Sequence, residues 1–432
     1  MLREKLTLFL ILCPILASGC GNGEKLPDNG KPIRVHKDTV AGANENTLLK
    51  DAQFAGTMKA GNIQVLYQAG LQNQADCIAN LTYKSFSRIL KSTGFRTSTA
   101  NRTMYLLRSD SMLLDVSQIV WTPDNVLGLI LLAQTDDDSC ESIISYNTVF
   151  PFAFFHEIIE GSLLFRKEGT AIQHDYIRKE FGFINRKVLS YTRWFREGFS
   201  TYCAYLAHEA ITSDSRFDKN RVSHAKLLNG FSLHPFSALT KIGKDLFTWH
   251  LFSSFPKETR SPNLPNPQKV STDYYDGSFG LFMLIRDKFG ADSIHRIIQG
   301  IDTLKYADGP ALIDLTNKIL DTDIEQLVED FQFPQTGLFM HPLFPEEVEL
   351  KGLSISEGIV VTVVEPGSPA EKAGIRKGDV IYRINDKDIK ANLDFEFAIY
   401  QLMDQQSVTV NILRDKDVEI TTELRLANKV SL

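Results

Sequence analysis

FAFFHEIIEG at residues 152–161 and WFREGFSTYCAYL at residues 194–206 decide how this chain is read. Both are helical patterns. In the first, His156 and Glu160 stand four residues apart and project from one face, with Glu157 about 100° round at its rim. That is the layout of H-E-x-x-H, where two residues at i and i+4 hold zinc and the glutamate between them is a general base; here a glutamate replaces the second histidine. In the second, Phe199, Cys203, Leu206 and Ala210 form an apolar stripe. Glu197 points away from it with Ser200, Thr201 and Ala204, residues small enough for the first helix to come close. His156, Glu160 and Glu197 therefore predict a three-ligand open metal site, as in catalytic rather than structural zinc. The bland alternative is a polar helix stripe. Two glutamates in so apolar a run need either a cation beside them or a wet face.

Two further motifs follow in order. Trp194, Glu197 and Gly198 supply W-x-x-E-G, and YYDGSFGLFML at residues 274–284 supplies Y-x-x-G-[AS]. Together the three resemble the gluzincin metallopeptidases. The resemblance implies an α+β architecture: a thermolysin-like catalytic domain with a C-terminal helical subdomain. It also implies zinc or another divalent ion on His156, Glu160 and Glu197, Glu157 as the base that activates water, and Tyr274, at a helix start, as the oxyanion donor. The chain departs from the pattern at Glu160 and in the 36 residues between Glu160 and Glu197. One imidazole and two carboxylates carry one more negative ligand than His-His-Glu, so the charge of a zinc site falls from about +1 to about 0. That predicts a weaker Lewis acid, an alkaline-shifted optimum, a preference drifting towards manganese, and higher zinc affinity in Glu160→His.

From about Glu349 the composition changes to short alternating strands and turns, and EPGSPAEKAGIRKGDVIYRIND spans residues 365–386. This resembles a bacterial-type PDZ domain. The resemblance makes Gly352, Leu353, Ser354 and Ile355 the loop that binds a peptide C-terminus and Phe395–Met403 the helix flanking the groove, with the peptide adding as a strand. A peptidase followed by a PDZ domain is also the layout of the glycyl aminopeptidases. That family's large β domain ahead of the catalytic one is too big for the spacer here, and no G-x-M-E-N element for a free amine is present, so exopeptidase activity is not inherited with the fold.

Arg3 and Lys5 precede an apolar run from Leu6 to Leu16, too short to span a bilayer, which closes at Ala17-Ser18-Gly19-Cys20. This resembles a bacterial lipoprotein signal, with Cys20 lipidated and the chain held on a membrane by acyl chains, facing the periplasm. Gly21 after the cysteine resembles the outer-membrane sorting pattern for a host with two membranes. The expected divisions are a signal peptide at 1–19, a flexible tether at 20–55, a peptidase domain at 56–340 and a PDZ domain at 345–428. At 432 residues, 43% hydrophobic and 23% charged, the chain has a globular composition. Its net charge of −6 argues against nucleic acid as a partner, leaving peptides or proteins and a membrane.

Along the catalytic portion, Ile63, Val65 and Tyr67 alternate as a strand. Ile78, Leu81, Ile89 and Leu90 fall at helical spacings before Gly94, and strands are expected at Thr103–Leu107 and Val126–Leu132. By resemblance Leu127–Leu132 is the sheet edge that takes substrate backbone. A Pro-rich loop at Phe255–Pro267 precedes helices near Gly277–Phe289 and Ser293–Ile301. Of Cys77, Cys140 and Cys203, the last lies on the apolar stripe, which leaves Cys77 with Cys140 as the possible pair. Two functions remain open: a membrane-tethered metallopeptidase of the cell envelope, or a pseudopeptidase whose groove and cleft bind envelope proteins.

Overall fold

LGLILLA at residues 127–133 shows no alternation of apolar and polar side chains, the mark of a strand covered on both faces. The computed structural model describes residues 53–61, 63–96, 102–108, 118–121, 127–133, 137, 139–147, 150–164, 192–214, 233–249, 267–304, 309–416 and 418–426, and makes this stretch an inner strand. The signal segment, Cys20 and the proposed loop from Phe255 fall outside the described residues, as does most of the tether. The N-terminal unit runs β1 Gly56–Ala60, β2 Ile63–Tyr67, α1 Gln72–Thr93, β3 Arg102–Arg108, β4 Gln118–Trp121, β5 Leu127–Ala133, α2 Cys140–Tyr146, α3 Phe152–Leu164 and α4 Arg193–Thr212. It continues with α5 Pro235–Ile242, a 3₁₀ turn at Gly243–Thr248, α6 Pro267–Phe289, α7 Ala291–Ile301, α8 Gly309–Leu320 and α9 Ile324–Asp330. The C-terminal unit runs β6 Leu338–Pro342, α10 Pro345–Lys351, β7 Ile359–Val364, α11 Pro369–Lys372, β8 Val380–Ile384, β9 Lys387–Asp388, α12 Asn392–Leu402, β10 Ser407–Arg414 and β11 Val418–Arg425.

The first sheet has the order β1-β2-β3-β5-β4, parallel through β2, β3 and β5 and antiparallel at both ends. Here the structure corrects the sequence reading. β4 pairs with β5 from Gln118–Ile130 to Trp121–Leu127, so Leu127–Leu132 is covered and, among the described residues, β4 is the edge on that side. Helix α1 lies on β1 and β2, burying Ile78, Leu81 and Ile89, while Leu90 is exposed. It stops at Gly94, whose φ of 68° suits glycine and whose N–H bonds the Leu90 carbonyl at 2.8 Å. A Cys77–Cys140 disulfide ties α1 to α2 across a Cα separation of 5.8 Å, and Cys203 is a free, buried thiol.

Helix α4 is the axis of the helical layer, packed against α3, α1 and α6 and buried over most of its length. Its Gly198 has a structural reason. A Cβ there would stand 2.5 Å from the Ser278 carbonyl oxygen, so glycine is what lets α6 lie against α4. α6 begins at Pro267, which puts Tyr274 inside the helix rather than at its start. Among the described residues no helix is long and apolar enough to cross a membrane.

The C-terminal sheet has the order β11-β10-β8-β7-β6, with β9 on β8. Strand β6 belongs to it, so this unit begins ahead of residue 345. Gly374 and Gly378 take φ of 76° and 94° in its turns, and Arg414 clamps Asp379 through Nε at 2.7 Å and Nη2 at 2.8 Å. The two units are joined by a polar and aromatic seam. Glu396 of α12 accepts the N–H groups of Phe236 and Ser237 at 2.8 and 3.1 Å and the Ser237 hydroxyl at 2.6 Å, capping α5.

Candidate metal centre and peptide groove

Helices α3 and α4 meet along the face that the small residues of α4 leave open. One donor atom each from His156, Glu160 and Glu197 lies within 4.8 Å of the other two, and all three side chains are buried. His156 Nε2 is 3.2 Å from Glu197 Oε2, close to the ~3.3 Å between donors of a tetrahedral ion with ~2.0 Å bonds. On the other side of the ring, Nδ1 is 3.2 Å from Thr201 Oγ1, whose hydroxyl donates to the Glu197 carbonyl at 2.8 Å. With the threonine proton committed there, Nδ1 carries the hydrogen and donates to Oγ1. Nε2 also carries a hydrogen and donates to Glu197 Oε2; loss of that proton leaves its lone pair facing the other donors.

Two cations come with this triad that the sequence reading did not place. Arg193 Nε donates to Glu197 Oε1 at 2.9 Å, its Nη2 donates to the Tyr275 hydroxyl, and its guanidinium carbon lies 4.5 Å from the Trp249 ring centroid. Arg196 Nη2 donates to Glu160 Oε1. Both guanidiniums are buried. The Arg193–Glu197 pair has the i,i+4 spacing of a helical ion pair, the one signal in the sequence that could have found it. The cation that the two buried glutamates require is thus supplied, at least in part, by the chain itself.

The electrostatics follow from this packing. Burial disfavours the charged His156 ring, but the Glu197 hydrogen bond, with Glu157 and Glu160 nearby, outweighs it and raises the pKa to about 9. Burial pushes Glu157 up to about 8 against the pull of His156. Burial would raise Glu197 as well, yet Arg193 and His156 hold it at about 2.

Tyr274 is placed differently from the sequence expectation. Its ring stacks on Trp249, centroids 5.3 Å apart and planes 24° from parallel. Its neighbour Tyr275 takes the position beside the triad, with its hydroxyl on Arg193 and its ring centroid 6.5 Å from that of His156. Adjacent residues on a helix point about 100° apart, so only one of the pair can face α3 and α4.

The peptide groove also needs correction. Gly352 caps α10 with φ 62°, and Leu353, Ser354 and Ile355 lead into β7, which is already paired on both sides by β6 and β8. A peptide cannot add to β7. Among the described residues the edge strands are β6 and β11, and β6 is the one beside α12: Asn392 Nδ2 at the start of that helix donates to the Met340 carbonyl at 3.2 Å.

Residues 340–424 match the PDZ domain family, and the C-terminal unit is a PDZ domain. The chain is similar to serine protease Do-like HtrB of Bacillus subtilis, 33% identical over 140 residues, which are 29% of this chain and 28% of that protein. It is also similar to a probable periplasmic serine endoprotease DegP-like of Marinomonas, 28% identical over 116 residues, 26% and 25% of the two chains. The chain thus spans about a quarter of the length of these curated relatives. Among solved structures, the HtrA3 PDZ domain bound to a phage-derived ligand is 23% identical over 21% of this chain and 83% of that one, with a TM-score of 0.19. An aminopeptidase N family protein from Idiomarina loihiensis covers 86% of this chain and 66% of its own at 14% identity, with a TM-score of 0.41.

Proposed function

We propose that the protein is a metal-dependent peptidase of the cell envelope, held on a membrane through Cys20, with His156, Glu160 and Glu197 as metal ligands. The single observation behind this is the convergence of three buried donors from two helices that are far apart in sequence. The donor set suits a divalent ion: one imidazole nitrogen whose lone pair is freed by loss of its proton, and two carboxylates that each keep an oxygen beyond the one bonded to arginine. Zinc or manganese there supplies Lewis-acid polarisation and makes water more acidic. The chain's own groups do the rest. Glu157, at the rim, takes the proton from water and passes it to the leaving amine. Tyr275, tied to Arg193, is better placed than Tyr274 to donate to a developing oxyanion. Thr201 fixes the His156 tautomer.

The PDZ domain presents peptide or protein C-termini to this cleft, with the peptide adding to β6 rather than to the strand after Ile355. Purification without chelators followed by elemental analysis tests the metal; the expectation is one equivalent of zinc or manganese and hydrolysis of a fluorogenic peptide library that Glu157→Gln abolishes. Cys20→Ser tests the tether, and is expected to release the protein from the membrane fraction without unfolding it.

A second reading is favoured by the arginines. Arg193–Glu197 and Arg196–Glu160 neutralise the two carboxylate ligands without an ion, as a pseudopeptidase that binds envelope proteins would require. A protein that purifies metal-free and binds neither zinc nor manganese by calorimetry belongs to that class.

A further inference from the structure

Glu160 is the departure from H-E-x-x-H, and the structure shows what came with it. Its side chain is 11% exposed and meets the 7% exposed side chain of Arg196, from the facing helix and one residue ahead of Glu197. A carboxylate and a guanidinium sum to zero charge, as a neutral imidazole does. Arg196 Nε is buried with no hydrogen-bond partner among the described residues. Buried donors are normally satisfied, and the hydrogen bond of this guanidinium among the described residues is the one from Nη2 to Glu160 Oε1.

We propose that Glu160 and Arg196 form one electroneutral unit standing in for a second histidine, with Arg196 as the positioning residue that leaves Glu160 a single oxygen for a divalent cation. The inference rests on the metal reading above. It revises the expectation from sequence, in which the extra negative ligand weakens the Lewis acid and Glu160→His improves zinc binding. With Arg196 present, position 160 carries the same net charge as a neutral histidine, so the extra negative ligand expected from Glu160 is cancelled. Glu160→His alone strands a buried guanidinium against an imidazole and repels the ion it was meant to favour.

The test uses the full chain stripped of metal, titrated with zinc chloride and with manganese chloride by calorimetry. The variants are Glu160→His, Arg196→Leu, Arg196→Lys and the double Glu160→His/Arg196→Leu. The double variant is expected to bind zinc about tenfold or more tighter than Glu160→His, the scale on which partners of metal ligands act. Arg196→Leu frees the second Glu160 oxygen and is expected to raise the manganese-to-zinc affinity ratio about tenfold, while Arg196→Lys keeps it within about threefold of wild type. If wild type binds an ion but Glu160→His and the double variant bind zinc equally, or the ratio ignores Arg196→Leu, the unit is refuted and the metal site stands. If wild type and every variant give no heat with either ion, the metal reading falls and this inference with it. The Arg196→Lys comparison remains informative where Arg196→Leu fails to fold.

Discussion

Phe236 and Tyr400 stack face to face, ring centroids 4.2 Å apart and planes 10° from parallel, and so join α5 of the N-terminal unit to α12 of the PDZ domain. The contact sits beside the Glu396 cap on α5, and Tyr400 also donates to Asp287 of α6 at 2.7 Å. The helix that flanks a PDZ groove is thus anchored to α5 and α6, and α6 carries Tyr275 beside the candidate site.

Breaking this seam is expected to loosen the PDZ domain before the rest unfolds. Glu396→Ala leaves the buried Phe236 N–H without an acceptor, at about 1–3 kcal/mol, and the partly buried Ser237 N–H with it at a smaller cost. Tyr400→Ala removes a stacked pair that is worth about 0.5–1.5 kcal/mol beyond its buried area. Limited proteolysis should release an intact fragment ending near residue 426 from either variant sooner than from wild type; equal digestion rates would show that the seam does not hold the units together.

Asp276 lies at the same seam, accepting the His234 N–H at 3.2 Å, and burial pushes its pKa from 3.8 to about 7 against the pull of His234. The sign is the reverse of a salt-bridged aspartate. The folded state binds this proton more tightly, so the Asp276 contribution is fully present below pH 3.8 and is lost as pH rises to about 7. Asp276→Asn is expected to flatten the fall in melting temperature between pH 5 and pH 7.5, which thermal melts of the two proteins would measure.

The tyrosine pair can be separated by function. Tyr275→Phe removes the hydroxyl that holds Arg193, and a lost oxyanion donor costs ~10²-fold in kcat. Tyr274→Phe changes a ring stacked on Trp249 and is expected to stay within about threefold, since the stack is kept. Steady-state kinetics on a common peptide decide between them, and the opposite order would return the role to Tyr274.

The Cys77–Cys140 bridge closes a loop of separation 63 and is expected to contribute about 2–4 kcal/mol, so Cys77→Ala/Cys140→Ala should melt well below wild type. Cys203 has its thiol pKa pushed well up by burial, so thiol reagents should leave it unmodified in the native protein. Rapid labelling located at Cys203 by peptide mapping of the unreduced wild type would contradict the buried position.

Some of this was legible in the chain. His156, Glu160 and Glu197 were readable as one group because an i,i+4 spacing and a stripe of small residues are local facts that fix which side chains share a helix face. The PDZ domain was readable by the resemblance of residues 365–386 to that family, and α1 from its period and its stop at Gly94. Other features were settled by partners distant in sequence. β4 took the sheet edge from Leu127–Leu132, and β6 took the edge beside α12 from the strand after Ile355, because strand order is set by pairings between segments that nothing local specifies. Which of Tyr274 and Tyr275 faces the triad depends on the phase of α6, which is fixed where Gly198 admits it against α4. The charge of the site was the least legible, since only the packing of α3 on α4 lays Arg196 against Glu160.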